Sequence, residues 1–165
     1  MKITILKYPT ETDLLWCKTC TLNTIGKKST KKPTQEWLEQ IVKAEHSPIR
    51  ELWFGIKMEI PYWVSVHFVR HKIGIEHWVS TQRTDRTNVN RNEKSQNTPV
   101  THACEADAQA MINISRKRLC NCASPETRQA WQEVKNEVAK VLNISRSYVS
   151  RIEKRIIEMI RAEFE

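Results

Sequence analysis

Apolar and polar residues alternate through Lys2–Lys7, which puts Ile3 and Ile5 on one side of the chain, and that period of two predicts a β-strand. Pro9 and Thr10 then supply a helix start. Apolar positions at Leu14, Leu15, Cys17 and Leu22 support a helix from Thr10 to Asn23. Gly26 to Pro33 is a basic loop, and Thr34 caps a second helix that is expected to run to about Ala44, with Glu36 favouring its first turn. The segment His46–Glu51 breaks the pattern, because the residue before Pro48 is pushed out of helical space. Leu52 to Ile60, with Trp53, Phe54 and Ile56, reads as a strand. The apolar run Tyr62–Val69 suits either a buried helix or a buried strand. From Thr84 to Asn97 the chain is almost wholly polar and predicts a long loop of the kind that serves as a functional lid. A short strand is expected over Val100–Ala103. Asp107 is placed to cap a helix carrying Ala110, Met111, Ile114 and Leu119, with Arg116, Lys117 and Arg118 near its end.

At 165 residues the chain is long enough for one domain with a real core, or for one domain with a small appendage. A net charge of +8 favours phosphorylated or polyanionic partners. The sequence has no long apolar run and its first residues do not form a signal core, so a soluble, cytosolic protein without a membrane partner is expected. Five cysteines, an odd number, read as reduced thiols. Cys17 with Cys20 and Cys120 with Cys122 form two close pairs that in principle supply four thiolates to zinc. The first pair falls in a helix and the second has Cys-x-Cys spacing, so small buried hydrophobes are the expected role, and no metal is expected.

The densest chemistry lies in Arg70–Arg83, where cations, imidazoles, a carboxylate and hydroxyls follow directly on the apolar run. A guanidinium is a planar fork for phosphate or carboxylate, Lys72 adds a point charge, and His71 can donate or accept near neutral pH. The segment suits a nucleotide or a phosphorylated cofactor. With three scattered glycines the chain has neither a dinucleotide fingerprint nor a P-loop, and Ser80 lacks the Gly-x-Ser-x-Gly setting of a hydrolase nucleophile.

His46–Glu51, a strand, and then Arg70-His71-Lys72-Ile73-Gly74 through Ser80-Thr81-Gln82-Arg83 resemble the flavin-dependent thymidylate synthases, whose signature is R-H-R-x-x-S-x-N-E-x-S-x-R-Y. Arg118 to Arg128 resembles the late segment of that family, in which an Arg on a helix is followed at the same spacing by a substrate-holding Arg. The resemblance covers about residues 1–135. It implies an α+β fold with a mixed sheet and helices, a homotetramer, FAD as cofactor, and reductive methylation of dUMP to dTMP with methylenetetrahydrofolate and NADPH. Carried over by position, Ser47, Arg70, His71, Lys72 and Arg118 contact the flavin nucleotide. Ser80 and Arg83 hold the dUMP phosphate, and Arg128 binds the uracil and stabilises charge developing on it, which makes Arg128 and Ser80 the catalytic candidates. The chain departs from the signature at Lys72, which replaces an Arg, and at His77-Trp78, which replaces Asn-Glu, so that the carboxylate is missing unless Glu76, a further cofactor-binding candidate, substitutes for it. Gln82 falls on the signature Arg with Arg83 one residue later, and both are substrate-binding candidates.

Residues 136–165 form a second expected unit, a helical hairpin or helix-turn-helix. Asn136 to Arg155 resembles the promoter-reading region of bacterial sigma factors, with Ala139 at the helix contact and Asn143 at the turn. That resemblance implies an alternative role as a DNA-binding regulator, in which Arg146, Ser147, Tyr148, Arg151 and Lys154 face duplex DNA.

Overall fold

The computed structural model describes residues 1–142. Four strands form one sheet: β1 (Lys2–Lys7), β2 (Trp53–Pro61), β3 (Ile75–Val79) and β4 (Pro99–Asp107). Their order is β1-β2-β4-β3 and every pairing is antiparallel. The helices are α1 (Glu11–Asn23), α2 (Gln35–Lys43), α3 (Tyr62–Phe68), α4 (Thr84–Thr87), α5 (Ala108–Arg118) and α6 (Pro125–Val141), and 3-10 turns occupy Ser47–Glu51 and Arg91–Glu93. The expected α+β architecture is present, with a sheet that is antiparallel throughout.

Helix starts follow the side chains that cap them. Thr10 and Asp13 form a reciprocal capping box at α1, Thr34 accepts from the Trp37 N–H at 3.2 Å, and Asp107 accepts from the Ala110 N–H at 2.7 Å. The ambiguous run after Pro61 is the helix α3. Its first two N–H groups, which have no partner inside the helix, donate to the Thr98 and Gln96 carbonyls at 3.0 and 3.3 Å. The polar stretch after Thr84 is thereby pinned to the start of α3, and Trp63 Nε1 adds a bond to Asn97 Oδ1 at 2.9 Å.

One face of the sheet is covered and the other is open. Phe54, Ile56, Met58 and Ile60 of β2 pack with Ile75, Cys104 and Ala106 against Val64 and Phe68 of α3, Ile114 of α5, and Trp131 and Val134 of α6. A smaller core gathers Cys17, Ile41, Ile49 and Leu52 between α1, α2 and the first 3-10 turn. The open face carries Lys57, Glu59, Glu76 and Trp78, the last 58% exposed.

Two elements differ from the sequence reading. The short strand expected over Val100–Ala103 is a nine-residue central strand, and a strand not anticipated, β3, lies within the charged segment. Of the paired cysteines, Cys17 is buried as expected and Cys20 half-buried, but Cys120 and Cys122 are exposed in the turn between α5 and α6, so the role of small buried hydrophobe does not extend to them; Cys104 is buried in the sheet. The two Cys pairs do not converge on a four-thiolate cluster among the described residues. Helix α6 runs without a break past Lys135, with Val138 and Leu142 packed against the main core and Ala139 buried. The rest of the expected helix-turn-helix, including Arg146, Ser147, Tyr148, Arg151 and Lys154, lies outside the described residues. No helix among those residues is long and apolar enough to cross a membrane.

Candidate functional site

The end of α3 and the end of α5 meet at His71. Arg118 Nε donates to His71 Nε2 at 3.0 Å, and its Nη2 donates to the His67 carbonyl. A guanidinium can only donate, so His71 Nε2 is a lone pair and the ring is neutral with its proton on Nδ1. Burial first, then the charge of Arg118, pushes His71 down to about 4, in agreement with that assignment. His67 is held by hydroxyls rather than by a guanidinium. Its Nδ1 lies 2.7 Å from Thr127 Oγ1, which in turn accepts from Ser124 Oγ at 2.8 Å, so the ring and the two hydroxyls form one hydrogen-bonded chain. Burial, then Arg118 and Arg70, lowers the His67 pKa.

Arg70 is exposed and close enough to Arg118 to lower the latter's pKa, with burial the larger cause. Lys72 and Lys117 are close enough to act on His77 and His71 respectively. None of these four cations has a carboxylate partner among the described residues. Arg116, one turn-position earlier on α5, is different, because it forms an ion pair with Glu45 beyond the end of α2. The basic end of α5 therefore splits in two: Arg116 fastens the helix to α2, and Arg118 carries its charge to His71.

The loop between α3 and β3 is set by Gly74. It has φ +69°, its carbonyl accepts from the Asp107 N–H at 2.9 Å, and a Cβ at this position would stand 2.3 Å from Asp107 Oδ2. The residue that caps α5 thus also fixes the turn that presents Arg70, His71 and Lys72.

A second basic region lies at the other end of α3, roughly 10 Å away at 1.5 Å per helical residue. There Tyr62, Ser80, Gln82, Arg83 and Arg91 line an open cleft of about 240 Å³. Ser80 is tied to β4 through its N–H to the Thr101 carbonyl at 2.8 Å and through its Oγ, which accepts from the Thr101 N–H at 3.1 Å. Arg83 is engaged by Asp85 in a two-pronged pair at 3.0 and 2.7 Å. Arg91 has no carboxylate partner among the described residues. Gln82 Nε2 is buried without an acceptor, an amide donor left unsatisfied in the wall of a basic cleft.

The sequence-derived candidates thus fall into separate places. Arg70, His71, Lys72 and Arg118 come together, and Ser80, Gln82 and Arg83 come together in the cleft. Ser47 begins the first 3-10 turn and is exposed. Glu76 sits on the open sheet face, because β3 alternates and its neighbour His77 points inward to His102. Arg128 lies on the first turns of α6, where its Nη1 donates to Asn121 Oδ1 at 2.9 Å, beside Cys120. The His67–Thr127 bond ties this turn to α3. Sequence reasoning missed Arg91 and Tyr62 in the cleft and the Thr127–His67 link. Arg91 belonged to a stretch that reads only as a polar loop, and nothing local marks Thr127.

Solved structures share this arrangement of elements. A flavin-dependent thymidylate synthase ThyX from Helicobacter pylori, complexed with FAD and dUMP, superposes with a TM-score of 0.66 at 10% identity, over 83% of this chain and 93% of that one. The fold is that of the ThyX enzymes. A second Helicobacter pylori ThyX structure with FAD and dUMP gives 0.63 at 8% identity, over 83% and 93% of the two chains. A UMP/dUMP methylase PolB from Streptomyces cacaoi, bound with 5-Br dUMP, gives 0.65 at 10% identity, over 84% and 90%. No protein-family model matches the chain, and no curated protein matches its sequence.

Proposed function

We propose that this chain is an FAD-dependent methyltransferase of the thymidylate synthase kind, which converts dUMP to dTMP with methylenetetrahydrofolate as carbon donor and NADPH as reductant. The observation that carries this reading is the placement of Arg70 beside Arg118, seated on neutral His71, with no carboxylate among the described residues to neutralise either one. Two adjacent guanidiniums repel each other, and a polyphosphate between them turns that repulsion into attraction. Arg70, Lys72 and Arg118 therefore suit the pyrophosphate of FAD, with His71 holding Arg118 in line.

FAD, when bound, supplies the hydride chemistry. The chain's own residues bind and orient. In the cleft, Gln82 Nε2 and Arg91 offer the phosphate of dUMP a donor and a charge that have no other claim on them. The exposed Arg83–Asp85 pair is worth little in water, so a phosphate dianion competes well for Arg83. Ser80, fixed to β4, presents its hydroxyl proton at the cleft wall. Arg128 keeps guanidinium nitrogens beyond the one bonded to Asn121, and with them it donates to a uracil carbonyl on which negative charge develops.

The test is the visible absorption spectrum of the purified full chain after incubation with FAD, followed by anaerobic NADPH reduction with and without dUMP. Bound flavin whose reduction rate changes with dUMP is the expected result. A chain that takes up no FAD would overturn the reading. Steep salt-dependent duplex binding by such a flavin-free chain would instead favour the regulator role that the sequence of residues 136–155 suggests.

A further inference from the structure

The covered face of β3 and β4 holds a polar cluster that neither the flavin nor the nucleotide reading uses. His77 stands opposite Cys104 in the β3–β4 register, and His102 lies two residues before Cys104 on the same face. One ligand atom from each of His77, His102 and Cys104 lies within 4.8 Å of the other two, the sole such group of three among the described residues. His102 is fully buried and Cys104 is 3% exposed, while half-buried His77 links them to the surface.

The hydrogen bonds locate the protons. His77 Nε2 lies 2.9 Å from the His71 carbonyl, so it carries the proton and leaves Nδ1 as a lone pair. His102 Nε2, 2.9 Å from that Nδ1, must then be the donor. This leaves His102 Nδ1 as a second lone pair, buried and with no partner. A fully buried imidazole held by one hydrogen bond, to His77, and an edge contact with Phe68 is an unusual use of core volume. The contact from His77 Nε2–H to a backbone carbonyl is the outer-shell bond that metal-ligating histidines make, because it orients the ring and raises the basicity of the other nitrogen.

We propose that His77, His102 and Cys104 bind a borderline d-block cation of the Zn(II) type through two imidazole nitrogens and one thiolate, with a fourth position open to water. Two nitrogens in a tetrahedral zinc site stand about 3.3 Å apart and a nitrogen and a sulfur about 3.6 Å, given bond lengths of about 2.05 and 2.3 Å. The 2.9 Å His77–His102 separation therefore needs to open by only a few tenths of an ångström. On binding, the Cys104 thiol proton leaves to solvent and the His102 proton shifts from Nε2 to Nδ1, so that each ligand meets the ion with a lone pair. The ion would tie β3 to β4 directly beneath the His71 carbonyl, behind the residues assigned to the flavin and using none of them as a ligand.

The probe is Co(II), titrated anaerobically into the full chain after removal of metal by chelator. Wild type should take up one equivalent with an intense thiolate-to-cobalt charge-transfer band, and the Cys120→Ser/Cys122→Ser double variant should do the same. Cys104→Ala should lose the band, and His77→Gln should weaken uptake by at least about tenfold. Zn(II) should raise the melting temperature of wild type and leave that of His77→Gln unchanged, a readout that stands even if Cys104→Ala does not fold. The proposal is overturned if wild type shows no band, or if the band vanishes in the Cys120→Ser/Cys122→Ser variant and survives in Cys104→Ala.

Discussion

A single arginine decides how the charge of the first basic region is used. Arg118 spends one nitrogen on His71 Nε2 and another on the His67 carbonyl, which fixes its plane while leaving its charge unneutralised. Arg118→Ala is expected to weaken FAD binding by at least tenfold in a fluorescence titration, while the lost bonds to His71 and the His67 carbonyl cost about 1–3 kcal/mol of stability. Arg118→Lys, which keeps the charge but not the fork, should fall between the two. In the cleft the same reasoning runs with opposite sign. Asp85 occupies Arg83, so Asp85→Asn should lower the KM for dUMP several-fold, whereas Arg91→Ala should raise it with little change in kcat. Steady-state kinetics on the two variants checks both, and a KM that rises in Asp85→Asn would remove Arg83 from the phosphate site.

At the scale of elements, the caps were the legible part. Thr10, Thr34 and Asp107 announce α1, α2 and α5 because a hydroxyl or carboxylate three residues ahead of a helical N–H has few other uses. The strands were harder to read. β3 and β4 place His77, His102 and Cys104 on the covered face where alternation calls for hydrophobes, so the apolar period that marks a strand is weakened by the residues that make this face unusual. The Arg70–Lys72 cluster was visible as a run of charge. Its partner Arg118 was legible only through the family resemblance, and Arg91 not at all, since the cleft is assembled by tertiary packing of α3 against a distant loop. Gly74 joins these levels, because Gly74→Ala would meet the Asp107 cap as well as the left-handed backbone penalty. A loss of at least about 2 kcal/mol is expected by chemical denaturation. Gly26→Ala, also at positive φ but with open space around it, should cost about 1 kcal/mol. The junction of α2 with α5 carries a pH signature. The bond from Arg116, then that from Gln109, holds Glu45 below its ordinary 4.5, so its contribution is full above that value and is lost as pH falls through the lowered folded value. Melting curves of Glu45→Gln should therefore show a shallower acid limb than wild type and converge with it at low pH.

At the scale of the whole molecule, the covered face of the sheet is finished and the open face is not. Helices α3, α5 and α6 close one side around Trp131 and Phe68, while the other presents Trp78 at 58% exposure, with Ile73, 88% exposed, in the loop that leads into the same strand. Large apolar side chains on an open sheet are where a second copy gains most by docking. The homotetramer implied by the family resemblance predicts that this face is covered in solution, and the cleft lined by Tyr62, Ser80 and Arg91 is open in one chain. Light scattering on the full chain is expected to give a particle four times the 19.4 kDa chain mass. Trp78→Glu, which places a carboxylate in the middle of that face without touching the buried core, should shift the distribution to smaller species and weaken dUMP binding together with it. A wild-type monomer that binds FAD and dUMP at full strength would show instead that one chain completes the site by itself, and the open face would then need another explanation.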